Sequence, residues 1–219
     1  MKKTILMVFA LAIMLSACSD NGKQAETKAA EKVEVVKNTG TAAFKKIKSG
    51  SHVKWRASHL AGTQKRFGKV FLKNAEFLVN NGKLTNATVV IDIPTLTVES
   101  FNEGAAEKGD LTGHLKSADF FNVAKYPTAK FELTKIEPAT GEYNSKVTGN
   151  LTILDATKSI TFNANVKLTP NEVSVKSEDF AVNRTDWGLS YHTEGTAGVP
   201  VNYLIANDIG FTIDVTLTK

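Results

Sequence analysis

The side chains able to do chemistry are few and scattered. The histidines are His52, His59, His114 and His192. His52 and His59 lie in a stretch that alternates polar and apolar residues. Their odd separation places them on opposite faces of an extended strand, where they cannot share a metal. No His-x-His, His-Glu-x-x-His or cysteine cluster occurs, no Gly-x-Ser-x-Gly, and no glycine-rich phosphate loop after a strand. Carboxylates are plentiful but fall in turns and on polar faces, and no spacing marks a catalytic pair. The residues point to a protein that is not an enzyme and carries no metal.

Two places remain where a polar group meets apolar surroundings. His59 ends an apolar-faced run and is followed by Leu60-Ala61-Gly62. A buried histidine needs a partner, either a backbone carbonyl or a ligand head group at a cavity mouth. Arg184 and Trp187 stand in Asn183-Arg184-Thr185-Asp186-Trp187-Gly188. Arg184 either pairs locally with Asp186 to shape a turn or meets a phosphate or carbonyl of a ligand.

Cys18 is the single cysteine. It follows Lys2, Lys3, an unbroken apolar run over residues 5–15 and the small residues Ser16 and Ala17. The run is too short to span a bilayer, which takes about 20 residues, and suits a signal-peptide core. Leu15-Ser16-Ala17-Cys18 resembles a bacterial lipobox, which implies removal of residues 1–17 and acylation of Cys18. An acylated Cys18 is neither nucleophile nor ligand, and the mature chain has no disulfide. Several acyl chains would anchor it firmly. The expected place is the bacterial envelope, periplasm-facing, with Ser19 rather than Asp after the cysteine favouring the outer over the inner membrane. Residues 18–43 are rich in Ala, Lys, Glu, Thr and Gly, with Val33, Val35 and Val36 almost the only large apolar residues, and read as a flexible tether.

The formal net charge is +5 and includes the two leader lysines. Arginine occurs only at 56, 66 and 184, with no basic stripe interleaved with aromatics, so nucleic acid is not an expected partner. Homodimerisation stays open, since no patch in the sequence marks an interface.

The elements that must position these residues are strands. Val53, Trp55, Ala57 and His59 alternate with polar neighbours, as do Ala87, Val89, Ile91 and Ile93. The same holds for Val147, Gly149, Leu151 and Ile153, for Ile160, Phe162, Ala164 and Val166, and for Ile209, Phe211, Ile213, Val215 and Leu217. Further strands are expected around 67–79, 130–136 and 172–182, with turns at Asn80-Asn81-Gly82, at Pro138 to Gly141, and at Pro170-Asn171. About eight strands with one apolar face close into an antiparallel barrel, which removes exposed edges; a two-sheet sandwich is the alternative. Residues 101–121 break the alternation. Leu111, Leu115 and Ala118 fall at helical spacing and predict a short helix capping one barrel end. Such a barrel is either filled by side chains or holds one small ligand.

Four blocks, in order, carry a resemblance. They are Ser51 to His59; Asp110 to Pro127, with His114-Leu115, Asp119-Phe120-Phe121 and Tyr126-Pro127; Gly149-Asn150-Leu151-Thr152-Ile153 with Thr157-Lys158; and Asn183 to Gly188. Residues 44–219 resemble the YceI-like family, whose members are lipocalin-like antiparallel eight-stranded β-barrels described as polyisoprenoid-binding. The resemblance implies a long isoprenoid lipid, such as a polyprenyl phosphate or a quinone, as partner and no other cofactor. It brings no catalytic activity. Head-group contacts are then expected from His59, His114 and Arg184, and the chamber wall from Trp55, Phe67, Phe71, Phe120, Phe121, Phe131, Phe162 and Trp187. Other readings are a broad lipocalin-like trap for hydrophobic compounds, or a filled barrel serving the envelope stress response. The chain departs from the family at Asp155-Ala156-Thr157-Lys158, where Gly-Val-Thr-Lys is usual.

Overall fold

The computed structural model describes residues 22–34 and 41–219. Cys18 and the leader lie outside the described residues. The strands in chain order are β1 (Lys23–Gln24), β2 (Glu26–Ala29), β3 (Ala42–Phe44), β4 (Lys46–Ile47), β5 (His52–Ala57), β6 (Arg66–Asn80) and β7 (Lys83–Asp92). After the helix α1 (Ala106–Lys116) come β8 (Thr128–Pro138), β9 (Ser145–Ile153), β10 (Ala156–Leu168), β11 (Glu172–Ser177), β12 (Phe180–Asn183) and β13 (Asp208–Thr218).

Eight of them close an antiparallel barrel. Going round the wall, β5 pairs with β6, then β7, β8, β9, β10, β11 and β13, and β13 returns to β5. Period-two alternation makes this possible, since each strand gives one face to a shared apolar interior and the other to water. The β6–β7 hairpin turns on Asn81 and Gly82, with φ of 49° and 70°. Both central residues of such a tight hairpin need positive φ, which Asn-Gly tolerates best. Bulges in β6, between Leu72 and Asn74, and in β8, between Leu133 and Lys135, add the local twist that helps the sheet curl shut.

Helix α1 lies over the end of β5 and β6. Its Leu111 and Leu115 pack on a cluster of Val53, Trp55, Val70, Leu96 and Val98. Ala118, expected on the same helical face, lies past the helix end, where the Ser117 amide donates to the His114 carbonyl.

The expected flexible tether is not what residues 22–34 form. They are laid against the barrel as a strap. β1 pairs in parallel with β12, and β2 pairs with β10. Beyond β2 the strap crosses the outer face of β9, β8 and β7. There the Asn150 amide group donates to the Glu31 carbonyl at 2.6 Å and accepts from its N–H at 2.9 Å. Thr134 donates to the Glu31 carboxylate, and Asn86 donates to the Glu34 carbonyl. β3 then pairs with β6, and Phe44 is buried, so the sheet reaches back beyond residue 44. The reason is physical: open strand edges satisfy the strap's backbone by hydrogen bonding, which needs no large apolar side chain.

Candidate functional site

The inward faces of the strands enclose an apolar cavity of about 120 Å³. Its lining extends from Trp55, Ile93 and Phe121 near the α1 end to Leu84, Val166 and Val175 near the hairpin end. The lining thus draws on both ends of the barrel strands. Among the described residues no polar atom faces the cavity. Phe131, Phe162, Phe180 and Phe211 form a belt of rings around it, and Phe162 and Phe180 stack at 4.7 Å with an interplanar angle of 5°.

Glycine and hydrogen bonding shape this wall. At Gly149 a Cβ would run into the Phe131 ring and the Glu132 carbonyl, so the bare backbone lets Phe131 lie flat across β9. At Gly68 a Cβ would strike the Thr97 carbonyl, and that carbonyl accepts the Trp55 indole N–H at 3.1 Å. Trp55 thus shows its apolar ring to the cavity while its one polar atom is satisfied behind the wall.

Of the residues expected at the site, Trp55, Phe121, Phe131 and Phe162 line the cavity. Phe67 and Phe71 do not. They point outward and are 45% and 40% exposed. Gly68 and Val70 set the inward phase of this part of β6, so their odd-numbered neighbours face water. Phe120 turns away from its neighbour Phe121 and lines a separate recess with Tyr191, Asn122 and Tyr126. His114 belongs to that side too. Its ring meets Phe120 and Tyr191 edge-on at 5.0 and 4.8 Å, and its Nε2 lies 3.1 Å from Asp119. His59 lies outside the cavity, its Nδ1 2.6 Å from the Asn202 carbonyl oxygen. Of the two roles open to it, the backbone partner is the one observed.

Arg184 and Trp187 are corrected likewise. Arg184 is 2% exposed, and its guanidinium donates to the carbonyls of Ala206, Leu189 and Ile205 at 3.1, 2.6 and 3.2 Å. Burial moves its pKa down from the ordinary value, and Glu194 opposes that shift. These bonds commit all three guanidinium nitrogens to backbone, so Arg184 clamps the excursion between β12 and β13. Trp187 is 1% exposed and donates to the Leu151 carbonyl at 2.9 Å. It packs in the core without reaching the cavity.

Sequence reasoning missed Phe77, Phe180 and Phe211 as wall residues. Phe211 stood in plain alternation and needed only to be read as wall. Phe77 was hidden by the β6 bulge, which reverses the inward parity after Leu72.

Comparison with known proteins agrees with this architecture. Residues 44–217 match the model of the YceI-like domain. The chain belongs to the YceI-like family. It is 36% identical over 130 residues to a UPF0312 protein of Pseudomonas putida strain W619, covering 56% of this chain and 61% of that one. A UPF0312 protein of Azotobacter vinelandii is 35% identical over 115 residues, with 52% and 56% covered. The chain thus spans roughly three-fifths of the curated relatives it matches. Among solved structures, a polyisoprenoid binding domain from Saccharophagus degradans superposes with a TM-score of 0.57 at 14% identity, covering 81% and 99% of the two chains. BcnA of Burkholderia cenocepacia superposes at 0.53 and 18%, covering 77% and 96%. At these identities the likeness to solved structures is one of fold. The YceI-like match begins at residue 44, so the strap precedes it.

Proposed function

We propose that this YceI-like protein holds a long isoprenoid lipid in its barrel and acts as a carrier or buffer at the bacterial envelope, binding the lipid without transforming it. The observation that carries the reading is the cavity, lined from both ends of the barrel and, among the described residues, by apolar atoms alone. A prenyl chain is hydrocarbon along its length, and burial of apolar surface is worth about 25 cal/mol per Å². The Saccharophagus relative is described as polyisoprenoid binding, and the shared fold supports the same class of ligand here. Cys18, in its lipobox-like setting, supplies the anchor in this reading, on the outer membrane rather than the inner.

A second reading has its own support. A cavity with no polar group offers no hydrogen bond to select a head group, and such groups fix orientation and specificity in most ligand sites. A broad trap for hydrophobic compounds fits that lining as well. Native mass spectrometry of the full chain purified from its own envelope, with organic extraction of bound material, separates the two. One prenyl lipid at near one-to-one supports the carrier. A mixture of unrelated apolar compounds supports the trap. Protein that arrives empty and stays empty when offered polyprenyl lipids leaves neither standing.

A further inference from the structure

The barrel wall has a seam. β10 pairs with β11 only from Ala164–Ser177 to Leu168–Val173. At that point the Glu178 amide donates to the Asn163 carbonyl, and the chain turns away into β12, which pairs with β13 instead. The β10 edge over residues 158–161 and the β12 edge at residues 180–181 therefore diverge, and the strap fills the wedge between them. Ser159, Ile160 and Thr161 pair with Lys28, Thr27 and Glu26, while Phe180 and Ala181 pair with Lys23 and Gln24. Directly inside the wedge stand Ile160, Phe162 and Phe180, all cavity-lining.

This stave is built differently from its neighbours. β1 and β2 span 2 and 4 residues, against 13 for β10. The side chains it turns inward are small: Ala25 joins the core cluster, and Thr27 lies opposite Ile160 on the inner face. Among the described residues the buried Thr27 hydroxyl has no hydrogen-bond partner, which disfavours the closed state. Gly22 fits at φ +108°, and a Cβ there would come within 2.8 Å of the Asp179 carbonyl. Outside the wedge, the main fastening is the pair of bonds between Asn150 and the Glu31 backbone. A short, small-residue, edge-bonded segment belongs to the low-stability end of a fold, where local opening occurs without global unfolding.

We propose that residues 22–29 form a removable stave and that the seam they close is the lateral portal to the cavity. Opening it exposes the stacked Phe162–Phe180 pair and the chamber behind without parting any of the eight barrel strands. The inference rests on the reading of the cavity as a ligand chamber. It also fits the anchor proposed above. The chain from Cys18 to Lys23 reaches at most about 18 Å when fully extended, so an acylated Cys18 would hold the seam beside the bilayer that supplies the ligand.

The test uses the full chain in vesicles of phosphatidylethanolamine and phosphatidylglycerol carrying 9,10-dibromostearic acid, an apolar chain that quenches a tryptophan it touches. Trp55 lines the cavity and reports uptake. Lys28→Cys with Ser159→Cys joins directly opposed residues, whose Cα separation in an antiparallel pair suits a disulfide. Neither side chain lines the cavity. The oxidised form should take up the quencher about tenfold more slowly than the reduced form, with the same final quenching. Asn150→Ala, which unfastens Glu31 from outside, should accelerate uptake by a similar factor. Equal rates in oxidised and reduced protein overturn the portal while leaving the binding reading intact. If the disulfide does not form, an unchanged rate in Asn150→Ala overturns it. No quenching in any form sinks the chamber reading and the portal together.

Discussion

The cavity wall and the corner clamped by Arg184 are both buried, and they are opposites in kind. Among the described residues no polar atom lines the cavity, and the Trp55 N–H is turned out onto Thr97. The corner buries a full positive charge and answers it with three backbone carbonyls. In the wall, apolar surface is left facing free space that a ligand can occupy. In the corner all three guanidinium nitrogens are bonded to backbone carbonyls. A buried arginine beside a tryptophan in a marked turn looks like a binding site in the sequence, and the geometry makes it a fastening.

The two regions should therefore fail in opposite ways. Arg184→Met strips three carbonyls of their donor, that of Leu189 buried and those of Ala206 and Ile205 partly buried. It should cost about 1–3 kcal/mol of stability, the scale for leaving a buried acceptor unpaired, measured by urea denaturation. Prenyl-lipid occupancy of the protein that remains folded should not change. A variant with full stability and lost occupancy would instead make Arg184 a ligand contact and erase the distinction. Ala87→Phe is the mirror image. Ala87 lines the cavity opposite Phe77, and a ring placed there fills the space a chain would use. Stability should stay within about 1–3 kcal/mol, the range for inserting bulk into a core. Occupancy by native mass spectrometry should fall about tenfold, the equivalent of 1.4 kcal/mol.

The same contrast explains what was legible in the sequence. The barrel was readable because period two sorts residues into faces before any contact is known; the cap showed as a break in that period, and the family through four motif blocks. Trp55, Phe121, Phe131 and Phe162, expected at the wall from the resemblance, line the cavity. Phe67 and Phe71 were misassigned because aromatic type was read without phase, and a single extra residue in β6 decides which parity faces in. The strap was illegible for another reason. Its attachment depends on edges left bare where β10 and β12 part, a demand created by the tertiary structure, and on Asn86 and Asn150. Those two residues read in sequence only as polar members of alternating strands. The corner failed similarly: Arg184 bonds to carbonyls 5, 21 and 22 residues further on, and no local pattern announces them.

A smaller test probes the electrostatics of the corner. Burial raises the pKa of Asp208 above its ordinary 3.8, and Glu194 adds to the shift. The folded state then binds the proton more tightly than the unfolded chain. Asp208 therefore weakens the fold as pH rises through its raised pKa, and the penalty disappears below about 3.8, where both states are protonated. Asp208→Asn should remove that slope and stabilise the protein at neutral pH by under about 1 kcal/mol, because the half-exposed carboxyl is screened by water. Thermal melting from pH 3 to 7 measures it. Parallel profiles for the two proteins would show that Asp208 contributes nothing to the pH dependence of the corner.

The smallest expected effect falls on the outer face of the wall. Phe67 and Phe71 point away from the cavity, so replacing either by serine removes no part of the chamber. Stability should move by about 0.5 kcal/mol or less, the usual range for surface changes, and lipid occupancy should not move at all. Phe162→Ala, a single change on the inner face, provides the contrast: it should lower stability by about 3 kcal/mol, within the range for a buried ring, and alter which chain lengths are retained. If Phe67→Ser or Phe71→Ser altered which chain lengths are retained, as Phe162→Ala should, these rings would face the cavity and the inward phase of β6 before its bulge would be the opposite one.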